Sequence, residues 1–191
     1  MRRPPPGARG LALVGYRATG KSTVGRILAD RLGRPFADSD REVEARAGRS
    51  IRSIFAEEGE PAFRDREARA IRDLTESLPG AILATGGGAI LRQESRAALR
   101  EFGFVAWLTA DPETLARRLR GSRRGLDDRP ALTSAGTLAE IAAVLADRSP
   151  LYREVADAAI DTAGRTTEEV ADAVLGAWLG PDGPGSEGAE A

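Results

Sequence analysis

The octet Gly15-Tyr16-Arg17-Ala18-Thr19-Gly20-Lys21-Ser22 fits the pattern G-x-x-x-x-G-K-[ST]. Its glycines let the backbone curl so that successive N–H groups point at one anion. A helix starting at Lys21 turns its positive end toward the same phosphates. Lys21 has the reach for the outer phosphates, and the Ser22 hydroxyl suits Mg²⁺. The octet therefore reads as a nucleoside triphosphate site and leaves the second substrate open. Composition adds weight to one position. Of the 28 basic residues, 27 are Arg and the single Lys is Lys21. A generic positive charge in this chain is an Arg, so position 21 calls for a compact ammonium on a flexible stem.

Four further clusters carry chemistry. Asp38-Ser39-Asp40 has two readings. It caps a helix whose first turn holds Glu42, or one carboxylate faces a metal while the other meets an acceptor hydroxyl. Arg64 and Glu67 share a helix face three residues apart. They form either a solvated ion pair of little worth or a guanidinium fork for an anionic substrate. Gly86, Gly87 and Gly88 follow an apolar run, as in a simple turn or where backbone approaches a ligand closely. Arg117, Arg118, Arg120, Arg123, Arg124 and Arg129 crowd a stretch with Gly121, Gly125 and Pro130, whose central part, Gly121 to Ala131, lacks an apolar period. Most of these suit a solvated loop. Arg129, beside Pro130, is the choice for a clamp on the transferring phosphoryl group. Arg148, near a helix end, either caps carbonyls or joins the site.

Absences narrow the chemistry. The chain has no Cys, His or Asn. That excludes disulfides, thiolate zinc sites, Ser-His-Asp catalysis and the H-R-D-x-x-x-x-N loop of protein kinases. Net charge is −1, which offers no basic footprint for nucleic acid. No apolar run approaches the ~20 residues that span a bilayer. A cytoplasmic protein is the expectation. Residues 1–9 read as a flexible basic lead, 10–180 as one domain, and 181–191 as a disordered acidic tail.

The elements that must position these groups alternate. Strands are expected at Gly10–Val14, Arg34–Ala37, Ala81–Ala84, Phe104–Leu108 and Ala158–Ile160. Helices are expected at Lys21–Leu32, Asp40–Ala47, Ser50–Glu57, Pro61–Ser77, Pro112–Leu119, Thr137–Leu151 and Thr167–Leu179. Buried-type strands alternating with helices argue for a parallel sheet covered on both faces, with ligands at the carboxyl ends of its strands.

Taken together, the segments GYRATGKSTVGRILADRLG, FADSD, GRSIRSIFAEEGEPAFRDRE, ATGGGAI, DDRPAL and RSPLYREVAD resemble the shikimate kinase family, in the family's order and over roughly residues 10 to 165. The resemblance implies a three-layer P-loop fold of the nucleoside-monophosphate-kinase type. Its five-stranded parallel sheet has the order 2-3-1-4-5, with helices on both faces and a mobile lid, here about residues 120–132. It implies transfer of the γ-phosphoryl group of ATP to the 3-hydroxyl of shikimate, with Mg²⁺, by a monomer. Carried over residue by residue, Ala18, Thr19, Gly20, Lys21, Ser22 and Thr23 wrap the phosphates. Ser22 and Asp38 serve the metal, and Asp40 binds the substrate hydroxyls and can serve as base. Arg64, Gly86, Gly87, Gly88 and Arg148 hold shikimate, on helices within about 40–77 and after the third strand. Arg129 is the lid arginine, and Arg118 and Arg165 flank the adenine. Catalysis falls to Lys21, Asp40 and Arg129. Two departures from the family pattern stand out. Ala18 replaces a frequent Gly, with a modest effect expected, and the lid reads RPAL rather than RPLL. From the residues alone, a kinase of the same architecture acting on gluconate or a nucleoside monophosphate stays open. So does a nucleotide-binding module without catalysis.

Overall fold

A computed structural model describes residues 9–121 and 138–180. The expected lid, including Arg129, lies outside these residues apart from Arg120 and Gly121, and so do most of the expected lead and tail. Five strands, β1 (Gly10–Val14), β2 (Phe36–Asp38), β3 (Ile82–Ala84), β4 (Gly103–Thr109) and β5 (Ala158–Asp161), form one parallel sheet of order β2-β3-β1-β4-β5. That is the order the resemblance implied.

Alternation along β1 assigns the two faces. Leu11 and Leu13 point into a layer with Val24 and Leu28 of helix α1 (Lys21–Leu32) and Val174 and Trp178 of helix α7 (Thr167–Leu179). Ala12 and Val14 point the other way. There they meet Ile71 of α3 (Ile51–Ser77), Leu99 of α4 (Gln93–Phe102) and Tyr152 of α6 (Leu138–Val155). Strands covered on both sides bury every residue of β1, as a parallel sheet requires. Two smaller helices complete the set, α2 (Ser39–Ala47) and α5 (Pro112–Gly121). Among the described residues no helix is long and apolar enough to cross a membrane.

β1 and β4 meet at a pair of glycines. Gly10 pairs with Gly103. A Cβ on Gly103 would stand 1.8 Å from the Gly10 carbonyl oxygen, and one on Gly10 would stand 2.2 Å from the Phe102 ring.

The structure shifts the bounds of β2 and α6, keeps the two limbs of α3 and adds α4. β2 begins at Phe36 rather than Arg34 and runs on to Asp38. Pro35 still accepts from Ile82 N at 2.8 Å, but Arg34 turns its side chain back to the carbonyls of Arg9 and Gly80. The helices expected at Ser50–Glu57 and Pro61–Ser77 are the two limbs of α3, separated by a break at Gly59, whose φ of 82° and ψ of 173° only Gly takes at low cost. Pro61 then opens the second limb. Helix α6 continues through Pro150 to Val155. Helix α4 was not expected at all. It lacks a side-chain cap, starting from Arg92, so no start signal marks it.

Candidate active site

The phosphate loop is anchored by its second residue. Tyr16 is buried with Leu115 of α5 and Ile141 of α6. Its carbonyl closes the loop by accepting from Thr19 Oγ1 at 2.8 Å and from Lys21 Nζ at 2.7 Å. The lone ammonium is thus drawn into the loop and is only 8% exposed. Gly20, at φ 93°, caps α1 and turns its first amides toward the loop. Ala18 has φ 64° and is the only non-Gly residue with positive φ among the described residues. The replacement of a frequent Gly therefore falls where the backbone is left-handed, which costs an L-residue about 1 kcal/mol. Thr23 is exposed on the first turn of α1.

Asp38 serves both expected readings with different oxygens. Oδ1 accepts from Asp40 N at 3.1 Å and caps α2. Oδ2 accepts from the Ser22 hydroxyl at 2.6 Å. Asp40 stands half-buried in the first turn of α2. Between them Ser39 is fully buried, and its Oγ accepts from Gly86 N at 3.0 Å.

Each glycine of the triplet is held by a side chain or close contact from a different element. Gly86 is tied to Ser39. The Gly87 carbonyl accepts from Tyr152 Oη at 2.5 Å and from Arg148 Nη1 at 3.3 Å, both on α6. A Cβ on Gly87 would lie 3.2 Å from the Arg17 amide nitrogen, so this glycine abuts the phosphate loop. Gly88 lies against the Arg64 guanidinium, where a Cβ would come within 2.3–2.4 Å. Close approach, not a simple turn, accounts for Gly88.

Arg64 and Glu67 do not form a solvated pair. Their side chains are 8% and 2% exposed, and Nη1 donates to Glu67 Oε2 at 2.5 Å. Glu60, beside the Gly59 kink, accepts from Nε and Nη2 at 3.1 and 2.9 Å. Burial makes this pair a fixed guanidinium rather than a surface ornament, because removing either partner strands a charge. The end of β3 thus brings together Asp38, Asp40, Arg64, Gly86, Gly87, Gly88 and Arg148. Arg148 reaches another element's carbonyl instead of capping its own helix.

On the far side of the loop Arg118 donates to Thr162 Oγ1 and O at 2.9 and 2.7 Å and to Ala18 O at 3.4 Å. It joins the phosphate loop to the turn after β5. Arg165 is exposed in that turn, before the Thr166–Glu169 capping box of α7. Tyr152 was not singled out beforehand. Burial raises its phenol well above the ordinary range, against the opposing pull of Arg148, so the hydroxyl stays protonated and donating. A lone Tyr on an apolar helix face was the available signal.

Comparison with known proteins agrees with this geometry. A model of the family described as shikimate kinase matches residues 17–178. A shikimate kinase of Symbiobacterium thermophilum is 47% identical over 165 residues, 86% of this chain and 93% of its own. One of Rhodopirellula baltica is 42% identical over 86% of this chain and 88% of its own. The solved shikimate kinase of Acinetobacter baumannii, in complex with shikimate, superposes with a TM-score of 0.82 at 38% identity, covering 90% of this chain and 93% of its own. With the sheet order, the phosphate loop and these matches in agreement, the chain belongs to the shikimate kinase family.

Proposed function

We propose that this protein transfers the γ-phosphoryl group of ATP to the 3-hydroxyl of shikimate, giving shikimate 3-phosphate and ADP, a step of chorismate and aromatic amino acid biosynthesis. The observation that carries the reading is the junction at Gly87. This residue abuts the phosphate loop through Arg17 and takes Arg148 on its carbonyl, while its neighbour Gly88 takes Arg64. A small acid gripped by the two arginines therefore stands next to the phosphates. A charged fork of this kind favours a carboxylate over a neutral sugar.

The residues fit Mg²⁺. Ser22 and Asp38 offer hard oxygens 2.6 Å apart. Among the described residues no cluster of three or more Asp, Glu, His or Cys makes a protein cage. Mg²⁺ in kinases suits such a site, since it keeps water and substrate phosphates as its other ligands. When bound, it supplies charge neutralisation at the phosphates. Thr19, Gly20, Lys21 and Thr23 cradle the triphosphate through backbone and ammonium. Asp40 holds the acceptor hydroxyl and can take its proton. Lys21, together with Arg129 of the lid, offsets the charge of the transition state. Arg118 and Arg165 flank the adenine. The protein works as a cytoplasmic monomer.

The test is ADP release with Mg²⁺ and ATP, measured with shikimate, gluconate and a panel of nucleoside monophosphates. Release with shikimate alone is expected. Turnover of another acceptor in its place would overturn the substrate. Nucleotide binding without release on any acceptor would make the chain a non-catalytic module.

A further inference from the structure

Arg148 and Tyr152 stand four residues apart on one face of α6, and both donate to the carbonyl of Gly87. The two bonds differ in kind. Tyr152 is fully buried, its ring is stacked on Trp107 at 5.5 Å and 14°, and its bond to the carbonyl is 2.5 Å long. Arg148 is half-buried on a flexible stem, and its bond is 3.3 Å long. One donor is a fixed peg and the other is exchangeable.

We propose that Tyr152 is a positioning residue that keeps the Gly87 carbonyl bonded so that Arg148 is free to leave it for the substrate carboxylate. This rests on the reading of Arg148 as a shikimate-binding residue. A buried carbonyl left without a donor carries a large desolvation cost. With Tyr152 in place, Arg148 turns toward the acid and the carbonyl keeps its shorter bond. Without the phenol, every substrate that recruits Arg148 must leave that carbonyl bare. The cost then falls on acceptor binding and not on nucleotide binding.

The experiment is a double-mutant cycle of Tyr152→Phe and Arg148→Ala in the full chain. Shikimate KM, ATP KM, kcat and thermal midpoint are followed. Tyr152→Phe is expected to raise shikimate KM about tenfold and to leave ATP KM within about twofold. In the Arg148→Ala background it is expected to add less than about threefold, because the exchange no longer occurs. An unchanged shikimate KM in Tyr152→Phe, or the same tenfold rise in both backgrounds, overturns the inference while leaving Arg148 its role. An unchanged KM in Arg148→Ala alone overturns that role and the inference with it. Trp107→Phe loosens the ring while sparing the hydroxyl, and is expected to shift KM less than about threefold. A shift as large as that of Tyr152→Phe would assign the effect to packing and overturn the inference.

Discussion

The Ser22 hydroxyl donates to Asp38 Oδ2 at 2.6 Å, while the other oxygen of that carboxylate caps α2 through the Asp40 amide. One side chain thus joins the phosphate loop to the start of α2. Asn caps a helix as well as Asp does, so Asp38→Asn separates the two tasks. It should leave the thermal midpoint within about 2 °C and raise the Mg²⁺ concentration for half-maximal rate at least about tenfold. A Mg²⁺ titration at fixed ATP checks this. An unchanged requirement would leave Asp38 with capping alone.

Lys21 is enclosed by its own loop, with the ammonium on the Tyr16 carbonyl. Lys21→Ala should lower kcat by at least an order of magnitude if, as proposed, the group offsets charge that develops in the transition state. Lys21→Arg should fail to restore it, since a planar fork does not fit where a compact ammonium sits. Saturating kinetics on both variants decide the matter, and near-normal turnover in either counts against the assigned role.

Gly88→Ala would press a methyl into the Arg64 guanidinium, the far end of a long side chain. The fold can absorb that, but the fork moves. Shikimate KM should rise about fivefold or more, with ATP KM little changed and the thermal midpoint within about 4 °C. Gly103→Ala is the contrast. Its Cβ would strike the Gly10 carbonyl oxygen, which is backbone in the sheet centre, so unfolding in denaturant should show a loss of about 3 kcal/mol or more.

Arg64→Ala should raise shikimate KM while ATP affinity holds. Because Glu67 is buried against this guanidinium, the same change should also cost about 3 kcal/mol of stability. Chemical denaturation run beside the kinetics reads both. Loss of stability with an unchanged KM would make the residue structural.

Ala18→Gly should raise the thermal midpoint by about 2–4 °C, since the left-handed backbone at φ 64° suits Gly and strains Ala. Scanning calorimetry checks it. A fall in midpoint would mean that the unfolded-chain entropy of Gly outweighs the strain.

The sheet was legible because its strands are apolar runs set between helical periods, and because Gly15 to Ser22 fixes where the first strand must end. Helix α4 escaped notice. Its buried Ser95, Leu99 and Phe102 have helical spacing, but one of the three is polar and no cap announces the start. At the site, local patterns showed which residues carry charge but not their surroundings. Arg64 and Glu67 look alike in sequence whether wet or dry, and only the packing of α3 against Gly88 decides. Tyr152 was hidden for the same reason, since its partner lies 65 positions away in the chain.

The three-point suspension of the glycine triplet bears on protein engineering. Transplanting the stretch 39–88 into another nucleotide-binding scaffold, to import a preference for small acids, would carry Ser39, Arg64 and the triplet along and leave Tyr152 behind. A chimera built that way has one tether missing at the middle glycine. A graft that also takes the end of α6 keeps all three.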